Sequence, residues 1–125
     1  MSSLIKHSIF LLGFLLLIAC SKDKEFEFDL DHLTDTPWGI PQIIEMGPNV
    51  IDYDLSAPTI FYEDGTMAVG ANFDFWSVRD SRTIFIEQAQ ELWFVIDLSP
   101  EQLLVEKSRF PDGSFLMRSM YYPME

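Results

Sequence analysis

TIFIEQAQELWFVIDLSPEQLLVEKSRF, residues 83–110, decides how the rest of the chain is read. Ile84 and Ile86 fall on one side of an extended chain, with Phe85 and Glu87 on the other. Leu92, Trp93, Phe94, Val95 and Ile96 follow without a polar break, so this strand is apolar on both faces and needs cover on each. Ser99, Pro100 and Glu101 mark a reversal, because proline cannot donate to a ladder. A third run then extends from Gln102 to Phe110. Short links between sequential strands make them antiparallel neighbours.

The same pattern continues outward in both directions, with no helical period longer than about two turns. Strands are expected near Trp38–Met46, Thr59–Tyr62, Thr66–Asn72, Phe73–Arg79, Thr83–Gln88, Glu91–Asp97, Gln102–Phe110 and Ser114–Tyr122. Glu63, Asp64, Gly65 and Pro111, Asp112, Gly113 place glycine where a hairpin needs positive φ, and Asp80, Ser81, Arg82 is a third tight connection. The longest gap, Gly47 to Pro58, reads as a long loop or lid. About eight strands in an antiparallel up-and-down meander give an all-β fold, a small barrel that is closed or nearly closed, since closure removes exposed edges.

The chain has 125 residues, 48% of them hydrophobic, which suits one domain plus accessories. Eight Lys and Arg against twenty Asp and Glu give a formal charge of -12, a sign that repels phosphate backbones and disfavours a nucleic-acid partner. The single cysteine, Cys20, cannot form an intramolecular disulfide, and His7 and His32 are too few for most zinc sites. No metal and no cofactor is expected.

The N-terminus carries Lys6, an apolar run from Ile9 to Ala19, and a small residue before Cys20, the layout of a secretory signal. Eleven apolar residues at about 1.5 Å each cover roughly half of a ~30 Å hydrocarbon core, which favours a cleaved leader over a spanning helix. Leu17, Ile18, Ala19, Cys20 resembles the bacterial lipobox, which implies a diacylglyceryl group on the Cys20 thiol and cleavage just before it. Several acyl chains on one cysteine make a lasting attachment, whereas one holds only marginally. The resulting expectation is residues 1–19 as lipoprotein signal peptide, 20–36 as lipidated cysteine and acidic tether, and 37–125 as the barrel domain. Without Lys6 the mature charge is 7 minus 20, or -13. The charged stretch Ser21 to Glu25 looks like the segment that follows the cysteine in outer-membrane lipoproteins of the Bacteroidetes type; a plain solvated spacer is the other reading. Within the tether, Glu25 to Asp31 alternates acid and apolar, which fits a docked edge strand, a turn of helix near Asp31 to Leu33, or a spacer with incidental aromatics.

Trp38, Phe61, Asp64–Thr66, Trp76, Asp80, Thr83–Ile86, Ile96, Leu98, Ser99 and Leu103, in that order and spacing, resemble the lipocalin-like domains of Bacteroidetes lipoproteins, over roughly residues 34–122. The resemblance implies a structural role for Trp38, with Arg118 of the last strand lying over its ring to close the barrel bottom. Gly65 and Gly113 are structural as turn residues.

Motif searches for a nucleophile elbow, a phosphate loop, a zinc-binding helix or a calcium loop find none. His32 sits among acids in the tether and reads as solvated. The carboxylate pairs Asp52 with Asp54 and Glu63 with Asp64 could in principle serve sugar-bond hydrolysis, which needs two acids about 5 to 10 Å apart, but twenty acids generate such pairs by chance. A non-catalytic protein is expected. Phe73, Phe75, Trp76, Trp93 and Tyr121 are the candidate ligand-binding residues, rings of the kind that line an apolar pocket or stack on a sugar. A barrel this small also needs bulky rings simply to fill itself. Two readings stay open: an outer-membrane, lipid-anchored module that binds a small apolar or glycan ligand, and an accessory subunit of an envelope protein complex with a filled barrel.

Overall fold

The computed structural model describes residues 26–48, 50 and 56–124. Cys20, the leader before it and the Asp52 and Asp54 pair lie outside the described residues. Eight strands form one sheet: β1 (Gln42–Met46), β2 (Thr59–Phe61), β3 (Thr66–Val69), β4 (Asn72–Val78), β5 (Thr83–Ile86), β6 (Glu91–Ser99), β7 (Gln102–Arg109) and β8 (Phe115–Tyr121). Their order is β1-β8-β7-β6-β5-β4-β3-β2, every pair antiparallel, so the meander curls until its two ends approach each other. The all-β expectation holds, as a curled half-barrel.

Several strand boundaries move from the expected ones, and two of the shifts have a clear local reason. The first strand starts at Gln42 because Pro41 has no N–H for a ladder. β3 stops at Val69 because Gly70 takes φ 61°, a left-handed turn that passes Asn72 to the next strand. Gly65 and Gly113, at φ 93° and 77°, do hold turns that a side chain would strain.

Trp38 spans the gap between the sheet's ends. Its backbone exchanges two 2.9 Å hydrogen bonds with Thr59 of β2, and it forms a bridge with Pro123 just beyond β8. Gly39 N–H donates to the Tyr122 carbonyl and Met124 N–H to the Pro37 carbonyl, both at 2.8 Å. One short segment therefore closes one end of the half-barrel, and no wider β1–β2 ladder is needed.

That end is plugged by the chain before Trp38. A five-residue helix, α1 (Leu30–Thr34), is capped by the Asp29 carboxylate, which accepts from Asp31 N–H at 2.9 Å. Leu33 is fully buried beneath Trp38, whose indole N–H donates to the Leu33 carbonyl at 3.2 Å. Phe26 is buried against the same core, and Glu27 is held by Ser81 and Arg82. Of the alternatives for the alternating stretch, the helical turn forms, and packing extends back to Phe26. Each fully buried large side chain in this plug contributes about 1.5–3 kcal/mol.

Candidate functional site

Three places carry chemistry: the interior, a groove beside α1, and the outer face of the sheet. Leu103, Val105 and Lys107 alternate on the inner side of β7, all buried. Lys107 thus occupies a core row, at 1% exposure, and it is the chain's one lysine after Lys24. Its ammonium lies 4.2 Å from the Trp93 ring centre and 5.0 Å from that of Tyr121, and donates to the Tyr121 hydroxyl at 2.6 Å. Trp93 stacks on Tyr121 at 5.8 Å, and its indole N–H donates to the buried Glu91 carboxylate at 2.8 Å.

This cluster is sealed. Burial pushes the Lys107 ammonium down to about 8, with the Glu91 charge pulling upward. Burial also pushes the Tyr121 phenol up, helped by Glu91 and opposed by a hydrogen bond with Thr59. The space left beside them, bounded by Pro41, Ala57, Thr59 and Val69, is about 30 Å³. A cavity of that size holds a water or two, not a lipid or a sugar. Among the described residues no group of three or more His, Cys, Asp or Glu is placed to hold a metal ion.

The sequence-derived candidates divide between the two faces of the sheet. Trp93 and Tyr121 meet inside, and Phe61 joins them to Trp76 through edge-on ring contacts of 5.8 Å on either side. Phe73 and Phe75 are 70% and 45% exposed on the outside, so they line no interior pocket. Arg118 also points outward. It pairs with Glu106 at 2.8 Å and Glu45 at 3.8 Å, on the face of β8 opposite Tyr121, and the cation over interior rings is Lys107. The closing cation–ring contact expected between Arg118 and Trp38 is thereby corrected, because strand alternation turns position 118 away from the core. Sequence reading missed Lys107, Glu91, Thr59 and Leu33. For Lys107 a signal existed: it stands two residues from Val105 and four from Leu103, in step with the buried row.

The groove, about 450 Å³, runs between α1 and the β2–β3 hairpin and is lined by Phe28, Asp29, Leu30, Asp31, Thr34, Glu63 and Trp76. The Trp76 indole N–H is shared between the carbonyls of Tyr62 at 2.9 Å and Thr66 at 3.0 Å, which fixes its ring at the groove wall. Glu63 thus faces the groove while Asp64 turns into its own hairpin. There Asp64 accepts from Thr66 N–H and hydroxyl, and these bonds favour the ionised carboxylate and hold its pKa below the carboxylate norm.

The outer face is split along β6. Phe94, Glu106, Arg118 and Glu45 stand directly opposite one another on β6, β7, β8 and β1. From Glu106 onward the row is ionic, and its hydrogen bond to Glu106 raises the Arg118 guanidinium above its ordinary value. On the other side the residues are apolar and mostly aromatic: Phe73 and Phe75 on β4, Phe85 on β5, Leu92 and Phe94 on β6, with Phe110 5.0 Å from Phe85. Arg79 lies 5.0 Å over Phe110, and Arg82 sits 5.1 Å over Phe28 and 5.9 Å over Phe94. Compared with protein-family models, with curated proteins and with solved structures, the chain matches none of them.

Proposed function

We propose that this chain is a non-catalytic lipoprotein, anchored to the outer membrane through acyl chains on Cys20, that works by its surfaces as an accessory subunit of an envelope complex. The observation that carries this reading is the filled interior. Among the described residues, rings and the Lys107–Glu91–Tyr121 cluster occupy the half-barrel, and the space beside that cluster is about 30 Å³. A small apolar ligand of the lipocalin kind needs roughly ten times that volume. The lipobox-like Leu17–Cys20 supports the anchor, and the lipocalin-like order of residues supports the body plan.

Crosslinking in intact cells, followed by affinity recovery of the full chain, tests the proposal, and a discrete protein conjugate is the expected outcome. Recovery of the chain alone, together with native mass spectra showing a bound lipid or oligosaccharide, overturns it in favour of a ligand carrier. A second reading has one specific observation behind it. The groove at Trp76 sets aromatic surface beside Asp29, Asp31 and Glu63, the combination that stacks on a sugar ring and accepts from its hydroxyls. Titration of a glycan panel against wild type and Trp76→Leu, read by calorimetry, separates this from the subunit reading.

A further inference from the structure

We infer that the aromatic half of the outer face, Phe73, Phe75, Phe85 and Phe94 with Arg79 and Arg82, rests on the bilayer that holds the Cys20 acyl chains. The inference rests on the anchoring reading above and adds an orientation to it.

Exposure is the first argument. Phe73, Phe75 and Phe94 are 70%, 45% and 43% exposed, on neighbouring strands of one continuous face. Large rings gathered in this way mark a surface that meets something apolar. Aromatic side chains at headgroup depth, with arginines whose stems lie on the rings and whose charges reach phosphate, are the chemistry of a lipid interface. The chain as a whole is strongly acidic, yet Arg79 and Arg82 both lie on this half, Arg82 paired with Glu27 and Arg79 beside Asp80 at its margin. The one acid directly beside Phe75 is Glu87, exposed in the turn after β5 and long enough to reach water.

Reach is the second argument. From Cys20 to Phe26 is six residues, which span at most roughly 22 Å when fully extended. Phe26 is fixed in the core, and Glu27 is bound to Ser81 and Arg82 at the β4–β5 hairpin. The chain therefore joins the body at the margin of the aromatic half, where Arg82 covers Phe28 and Phe94. An anchor at Cys20 cannot hold that margin far from lipid. Docking there leaves the ionic half, with Glu45, Glu106 and Arg118, further round the curl, where a soluble partner meets it.

The test uses the full mature lipoprotein in vesicles of phosphatidylethanolamine and phosphatidylglycerol. Acylation consumes the Cys20 thiol, so Phe73→Cys, Phe94→Cys and Glu45→Cys each provide one reactive site for a nitroxide label. The intact mass is read first, to establish the acyl chains on Cys20. Labels at 73 and 94 are expected to collide severalfold more with oxygen than with a water-soluble nickel chelate, and the label at 45 to show the reverse. Arg79→Glu is expected to reduce the difference at 73. If Cys20 is acylated and all three labels are equally wet, the docking is overturned while the anchor stands. If Cys20 carries no acyl chain, the anchor falls and the docking falls with it. Labels that are wet on vesicles but dry in whole membranes assign the face to a protein partner and also overturn the inference.

Discussion

Replacing Lys107 with methionine removes the buried charge while keeping most of the side chain's length and volume. In the wild-type protein burial pushes the Lys107 ammonium from 10.5 down to about 8, with Glu91 opposing the change. Below pH 8 the folded and unfolded chains both hold the proton; between pH 8 and 10.5 the unfolded chain alone does. The unfolded state then binds more protons, so wild-type stability rises with pH across that window. The gap between 10.5 and 8 corresponds to about 3 kcal/mol in full, of which about 2 kcal/mol falls between pH 7 and 10. Above pH 10 the Tyr121 phenol, which burial pushes up, works in the other direction, because the unfolded chain loses that proton first. Urea melts of wild type and Lys107→Met at pH 7, 8, 9 and 10 read the difference. Wild-type stability should climb by about 2 kcal/mol relative to the variant over this range. Parallel profiles would refute the reasoning, since they require the amine to keep its proton inside the barrel, held there by Glu91.

Leu33→Ala removes the fully buried side chain beneath Trp38 and should cost about 2–5 kcal/mol in a urea melt, with a red shift of tryptophan emission as water reaches the indole. Arg118→Ala should leave the urea-melt midpoint nearly unchanged, because its ion pairs are surface ones, and should leave the near-ultraviolet circular dichroism of Trp38 unchanged; a change there would restore the contact with that ring. In Gly47→Ala the new methyl meets the Phe115 and Leu116 carbonyl oxygens at 2.6 and 2.9 Å, so a loss of roughly 1–3 kcal/mol is expected by thermal melting. Phe73→Ser, at 70% exposure, should change stability by less than about 0.5 kcal/mol, which separates its role at the outer face from any role in folding.

The strands were legible because alternation and turn chemistry agree locally. Gly65 and Gly113 sit where a positive φ is required, and the buried rows of β5 and β7 keep a period of two. Closure was not legible to the same degree. The sheet's ends meet through the backbone of one tryptophan, and backbone bonding between Trp38 and Thr59 leaves no mark on side-chain pattern. Alternation of acid and ring from Glu25 to Asp31 fits a strand as well as a helical turn. What selects the turn is tertiary: Leu33 covers the open end of the core, and the Asp29 cap needs no distant partner.

The candidate site was legible in its residue types but not in its sides. Phe73, Phe75, Trp76, Trp93 and Tyr121 look alike in composition, yet the pleat sends the first two to solvent and the other three toward the core. The parity of strand positions decides this, and parity can be counted only once register is known. Lys107 shows the same logic from the other direction. Charge makes a lysine read as solvent-facing, but its spacing from Leu103 and Val105 places it inside, and the rings of Trp93 and Tyr121 with the Glu91 carboxylate make that position tolerable. The interior amine and the outward phenylalanines are therefore one observation: the sheet puts a polar group where a ligand cavity would be and rings where water would be. A body built this way keeps exposed apolar surface on the outside, and on the proposed reading its function belongs to that face, beside the proposed anchor, and not to the barrel.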